Sequence, residues 1–101
     1  MRRNTGMKIN LAAQILELNA KWETIDKVKL AENIENYLAI KFPDCVTYST
    51  RLDKLVEITG SKRDSVYAWI NRGRSNVKAP FLKVCAIAAA LDVDIYELLR
   101  E

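Results

Sequence analysis

The sequence predicts an all-α fold of five helices with an extra helix at the N-terminus, and three observations carry that reading. Half of the 101 residues are apolar, only 3 are Gly and 2 are Pro, and Ala, Leu, Ile, Lys and Glu dominate, which favours helices over strands. No segment shows a convincing strand-like alternation of polar and apolar residues. Apolar residues recur instead at steps of three and four, the spacing of a helix with one buried face. A chain of this length buries one core and is expected to fold as a single domain, with no second domain for ligand sensing or self-cleavage.

Residues 1–8 are polar and expected to fray. From Asn10, a plausible cap, Leu11, Ile15, Leu18, Trp22 and Ile25 follow at steps of 4, 3, 4 and 3, an apolar seam close to a heptad. Such a seam packs either on its own domain or on a second subunit, so Leu11, Ile15, Leu18 and Trp22 are candidate dimerisation residues. No Gly or Pro interrupts residues 10–41. Two helices are expected there, since a helix of that length is uncommon in so small a domain. The second begins near Thr24 and buries Val28, Ala31, Ile34, Leu38 and Phe42, with Tyr37 beside them, and Pro43 ends it. Residues 1–46 thus form an N-terminal helical extension and first helix, followed by a region from 47 to 101 within the same compact domain.

Residues 50–73, TRLDKLVEITGSKRDSVYAWINRG, read as two short helices meeting at a glycine. Thr50 with Asp53 three residues on is a capping-box variant, with Ser49 a competing cap, so the first of the two should start near Thr50. Leu55, Ile58, Val66 and Trp69 fall on inner faces, and Leu55 should meet Val66 across the corner. Gly60 sits where the chain turns, a position suited to a left-handed conformation. Lys62, Arg63, Asp64, Tyr67 and Asn71 then lie on the outer face of the second helix. That layout, with a basic N-terminal end, is that of a helix-turn-helix reader of DNA. Trp69 reads as core, because its spacing from Val66 points inward.

A polar, basic loop, residues 73–78, leads to Pro80 in the first turn of the next helix. There Phe81, Val84, Cys85, Ala88 and Leu91 supply the buried face, and the Ala-rich stretch permits close packing. Asp92 or Asp94 caps a last short helix returning Ile95, Leu98 and Leu99 to the core.

The net charge of +3 establishes no partner alone, but its distribution is uneven. Residues 47–83 hold eight Lys or Arg against three acids, and residues 84–101 one Arg against four. Positive charge therefore gathers on the two-helix segment and the loop after it. The 2 cysteines, Cys45 and Cys85, lack metal-like spacing and there is no His, which argues against a zinc site and against His-based acid-base chemistry. Cys85 reads as a small core residue and Cys45 as a free surface thiol, with no disulfide expected. No long apolar run follows the basic MRRNTGMK, so neither a signal peptide nor a membrane span is expected, and the protein should remain in the cytoplasm. No nucleophile and base, phosphate loop or metal cluster can be assembled. The expectation is a non-enzyme without cofactor, membrane or evident small-molecule ligand.

The stretch from about Thr47 to Leu99 resembles the lambda-repressor-like, Cro/Xre class of helix-turn-helix domains, which includes phage repressors. The resemblance rests on LDKLVEITG, SKRDSVYAWINRG and APFLKVCAIAAALDVDIYELL in that order, the last looking like the family's fourth and fifth helices. Val56 stands where the family usually has a small Ala, Ser61 where Val or Ile is commoner, and Lys62 where Ser or Thr often caps. The resemblance implies that Arg63, Asp64 and Ala68 occupy positions facing base edges and Asn71 a position on the DNA backbone, with Tyr67 on the same face. Arg63 is the best single candidate, since its planar fork fits the two acceptors of guanine. A surface Arg paired with a neighbour is the plainer alternative. Asp64 either accepts from cytosine or stabilises the helix N-terminus. Lys62, Arg72, Arg74 and Lys78, with Thr50 and Arg51, are expected at phosphates. The function implied is a transcriptional regulator, a repressor acting as a homodimer on double-stranded DNA, from a phage or mobile element. The alternative is a protein-interaction module of antitoxin or anti-repressor type that keeps the fold.

Overall fold

A computed structural model describes residues 12–71 and 77–100. Among them there is no strand. Residues 12–20 form α1, a 3-10 turn covers Trp22–Thr24, and α2 (Lys27–Lys41), α3 (Tyr48–Thr59), α4 (Arg63–Trp69), α5 (Phe81–Leu91) and α6 (Ile95–Leu98) follow. The chain is all-α, as its composition predicts. Arg72 and Arg74 lie outside the described residues, as does Leu11.

The long apolar stretch breaks into two helices at an aspartate. Ile25 is extended, and the Asp26 carboxylate accepts from the N–H groups of Val28 at 2.9 Å and Lys29 at 3.1 Å. Helix α1 stops at residue 20, a 3-10 turn follows, and an N-cap that takes two orphan donors starts α2 without Gly or Pro. In α2 the buried residues are Leu30, Ala31, Ile34 and Leu38, while Val28 is only half-buried. The C-terminal helix docks on this element through polar contacts. Asn33 donates to the carbonyls of Leu98 and Arg100, and the Tyr37 hydroxyl donates to Glu97 at 2.7 Å.

Helix α3 starts earlier than the sequence suggests. Thr47 is the N-cap, its hydroxyl accepting from the Thr50 N–H at 3.1 Å, while the Thr50 hydroxyl accepts from the Thr47 N–H at 3.1 Å. Thr50 is thus the third helical residue of a capping box, the place the sequence reading gave to Asp53, because a threonine hydroxyl can reciprocate as Glu or Gln usually does. At the other end Gly60 is left-handed, φ 68° and ψ 13°, with its N–H on the Val56 carbonyl at 2.8 Å. A Cβ added there would meet nothing within 4 Å. Glycine is therefore required by backbone conformation and not by space.

Three residues, Gly60 to Lys62, separate α3 from α4. Leu55, Val66 and Ile70 are all fully buried and Trp69 nearly so, which fixes α4 by its inner face. Helix α4 ends at Trp69, short of the expected Asn71, because Ile70 leaves helical conformation to enter the core. Pro80 is the N-cap of α5 rather than a first-turn residue. Asp92 closes α5 in a left-handed conformation, φ 58°, and Asp94 caps α6 by accepting from the Tyr96 N–H at 2.9 Å. The two aspartates left open in sequence thus divide the work. Cys45 is buried, not a surface thiol, and Cys85 is half-buried against the core, where burial pushes its thiol pKa up.

Because the turn needs φ near 68° and leaves room for a side chain, Gly60→Ala should destabilise the fold by about 1 to 2 kcal/mol. Gly60→Asn should cost less, since Asn tolerates the left-handed region. Urea unfolding of the three proteins checks the order, and equal midpoints would refute the conformational explanation.

Candidate nucleic-acid interface

The outer face of α4 is assembled by the burial of its inner one. With Val66, Trp69 and Ile70 in the core, Lys62, Arg63, Asp64, Ser65 and Tyr67 are exposed, whereas Ala68 and Asn71 are half-buried. Arg63 and Tyr67, four residues apart, share one strip of this face. Asp64 lies in the first turn, where a carboxylate favours the helix dipole.

Both residues of that strip lean on α3. The Arg63 Nε donates to Asp53 Oδ1 at 3.2 Å, and its Nη2 donates to Ser49 Oγ at 2.8 Å and, more weakly, to the Ser49 carbonyl at 3.4 Å. The Tyr67 ring meets the Tyr48 ring edge-on, centroids 6.1 Å apart, and the Tyr48 hydroxyl donates to the Ile70 carbonyl at 2.8 Å. Ser49, Asp53 and Tyr48 are the site residues that sequence reading missed in this role. In sequence Ser49 and Asp53 read only as capping residues, since the signal joining residue 53 to residue 63 exists only once the corner angle is known.

Of the described cations expected at phosphates, Arg51 and Lys78 have partners within the fold, and so do the nearby Lys54 and Lys83. Arg51 pairs with Glu35 of α2 at 3.6 Å and also reaches the Val46 carbonyl at 3.4 Å. Thr50 is engaged in its capping box. The Lys78 ammonium donates to the Trp22 carbonyl and lies 6.0 Å from the centre of the Trp22 ring. Lys54 pairs with Glu57 at 3.0 Å over the Phe42 ring, and that carboxylate raises the lysine pKa. Lys83 donates to the Thr59 carbonyl at 2.9 Å, where a cation satisfies the C-terminal end of α3. In the free chain Thr50, Arg51 and Lys78, which the sequence places at phosphates, are thus engaged within the fold. Among the described cations of residues 47–83, Lys62 is the one without such a contact.

The N-terminal seam is likewise redirected. Leu18 and Trp22 are buried in the chain's own core, where Trp22 stacks edge-on against Phe81 at 5.1 Å and its Nε1 donates to the Ala79 carbonyl at 3.0 Å. Two of the four candidate dimer residues are therefore occupied within the subunit, and of the described ones Ile15 is exposed. No family model, curated protein or solved structure matches the chain.

Trp22 ties the N-terminal segment to residues 78–81, so Trp22→Phe should leave the Ala79 carbonyl unpaired and cost about 1 to 3 kcal/mol. Chemical denaturation measures this. An unchanged midpoint would mean that the indole N–H is not a structural contact.

Proposed function

We propose that the chain is a sequence-specific DNA-binding regulator of the lambda-repressor-like, Cro/Xre helix-turn-helix type. In this reading it acts as a homodimer and enters the major groove with α4. The observation that carries the reading is the division of α4 itself, with Val66 and Trp69 buried and Lys62, Arg63, Asp64, Ser65 and Tyr67 outward. A seven-residue helix reads only a few base pairs, so selectivity calls for a two-fold site bound by two copies about one helical turn apart. Repression by occluding a promoter needs no further domain.

The engagement of Arg51, Lys54, Lys78 and Lys83 within the fold favours a second reading, a protein-interaction module with the same corner. It also sets the electrostatics of the first. If Lys62, Arg72 and Arg74 carry the phosphate contacts of each subunit, a dimer should lose affinity with a log–log salt slope of about −5.

Selection of bound sequences from a random duplex pool, followed by anisotropy titrations across salt, tests the proposal. The expected outcome is a two-fold motif whose selectivity falls with Arg63→Ala by roughly 5- to 150-fold at one position. Undetectable binding at low salt would hand the case to the interaction module.

A further inference from the structure

We infer that Asp53 and Ser49 are positioning residues for base selection. They hold the Arg63 guanidinium by its Nε and Nη2 side, so that its terminal edge meets a guanine. The inference rests on the DNA-reading proposal and adds to it the base chosen and the residues that impose the choice.

A guanidinium can grip the paired O6 and N7 acceptors of guanine by its Nε/Nη2 side or by its Nη1/Nη2 end. In this fold the first option is taken. Nε is bound to Asp53 at 3.2 Å and Nη2 to Ser49 Oγ at 2.8 Å, both partners coming from α3. Nη1 has no partner among the described residues, and the Arg63 side chain is 46% exposed. End-on pairing draws on Nη1 and one Nη2 hydrogen, and the 3.4 Å contact to the Ser49 carbonyl is the weaker of the two that Nη2 makes. A long side chain loses rotamer freedom when it grips a base. Here folding has removed part of that freedom beforehand, which makes recognition sharper as well as tighter.

The charge on Asp53 gives the arrangement a distinctive signature. Its side chain is 66% exposed, so in the free protein the ion pair contributes little. When a duplex excludes water from the corner the pair strengthens, because the local dielectric falls. The same carboxylate repels phosphates wherever the protein lands. Asp53 should thus raise preference for guanine while lowering affinity for unrelated DNA. A carboxylate with only a general electrostatic or structural role would move both affinities together.

The test uses the full chain and the duplex selected by the wild-type protein, with the guanine opposite Arg63 kept, replaced by another base, or replaced by 7-deazaguanine, which lacks N7. Affinities for these and for an unrelated duplex are measured for wild type, Asp53→Ala, Asp53→Asn, Ser49→Ala and Arg63→Lys, with thermal melts to show each is folded. Wild type should prefer guanine by roughly 5- to 150-fold, and 7-deazaguanine should remove much of that preference. Asp53→Ala should reduce the preference several-fold with affinity for unrelated DNA unchanged or higher. Ser49→Ala should do the same more weakly, and Arg63→Lys, which keeps the charge but loses the planar fork, should prefer guanine less than wild type and no longer respond to Asp53→Ala. A guanine preference unchanged in Asp53→Ala overturns the inference while leaving the DNA reading intact. Failure of the wild-type protein to select any sequence overturns that reading, and the inference with it.

Discussion

A helix of seven residues cannot hold itself together in water, where isolated helices need about 12 to 15, and α4 has no side-chain cap at Lys62. Its conformation is imposed by burial. Val66, Trp69 and Ile70 enter the core shared with α3 and α5, and the remaining positions are left outward in one fixed rotation. The direction in which α4 leaves α3 is set by left-handed Gly60, and the Thr59 carbonyl beside that turn is held by Lys83 from α5. The exposed strip of Arg63 and Tyr67 is thus a consequence of packing on the other side of the helix. Core changes beneath it would move the strip without touching it.

Charge tells a different story in sequence and in space. Eight Lys or Arg against three acids between residues 47 and 83 look like an electrostatic footprint for nucleic acid. In the fold, Arg51 joins α3 to α2, Lys54 lies over Phe42, Lys83 satisfies a helix end and Lys78 secures Trp22. A long basic side chain spends its methylene stem on apolar surface and its head on a carbonyl or carboxylate, and several of these do so. Counting cations along a chain therefore overstates the phosphate-binding surface of a small domain. On the outer face of α4 the charge contact is instead one between opposite charges, Arg63 with Asp53.

The helices and the glycine corner were legible because each is written in local rules. Apolar spacing of three and four marks buried faces, and Asp94 is one of the caps the sequence offers, whereas Asp26 and Thr47, which begin α2 and α3, emerge only in the fold. The errors are of one to three residues, at Thr24, Thr50, Pro80 and Asn71, where a neighbouring residue meets the same geometric demand better. What sequence could not supply were contacts across large separations. Trp22 with Ala79 spans 57 residues and Asn33 with Arg100 spans 67, and no periodicity announces either. The site divides in the same way. The outward face of α4 follows from helical spacing, but the partners Ser49 and Asp53 depend on the angle between two helices, which no single-helix pattern encodes.

The N-terminal seam shows how a correct pattern acquires its meaning only from the partner it finds. A stripe at heptad-like spacing demands an apolar surface but does not say whose. Here Phe81, at the start of α5, supplies part of it, and the indole N–H and the Lys78 ammonium add polar ties between residues 22 and 77–80. Those residues follow directly on the stretch carrying Arg72 and Arg74. Of the two partners its spacing allows, its own domain or a second subunit, the seam finds the first through Leu18 and Trp22, and it anchors one end of the basic loop. A surface for pairing two copies, if α4 reads a two-fold site, must then come from elsewhere than Leu18 and Trp22. The exposed Ile15 and Leu16 are the large apolar residues that α1 still presents to solvent.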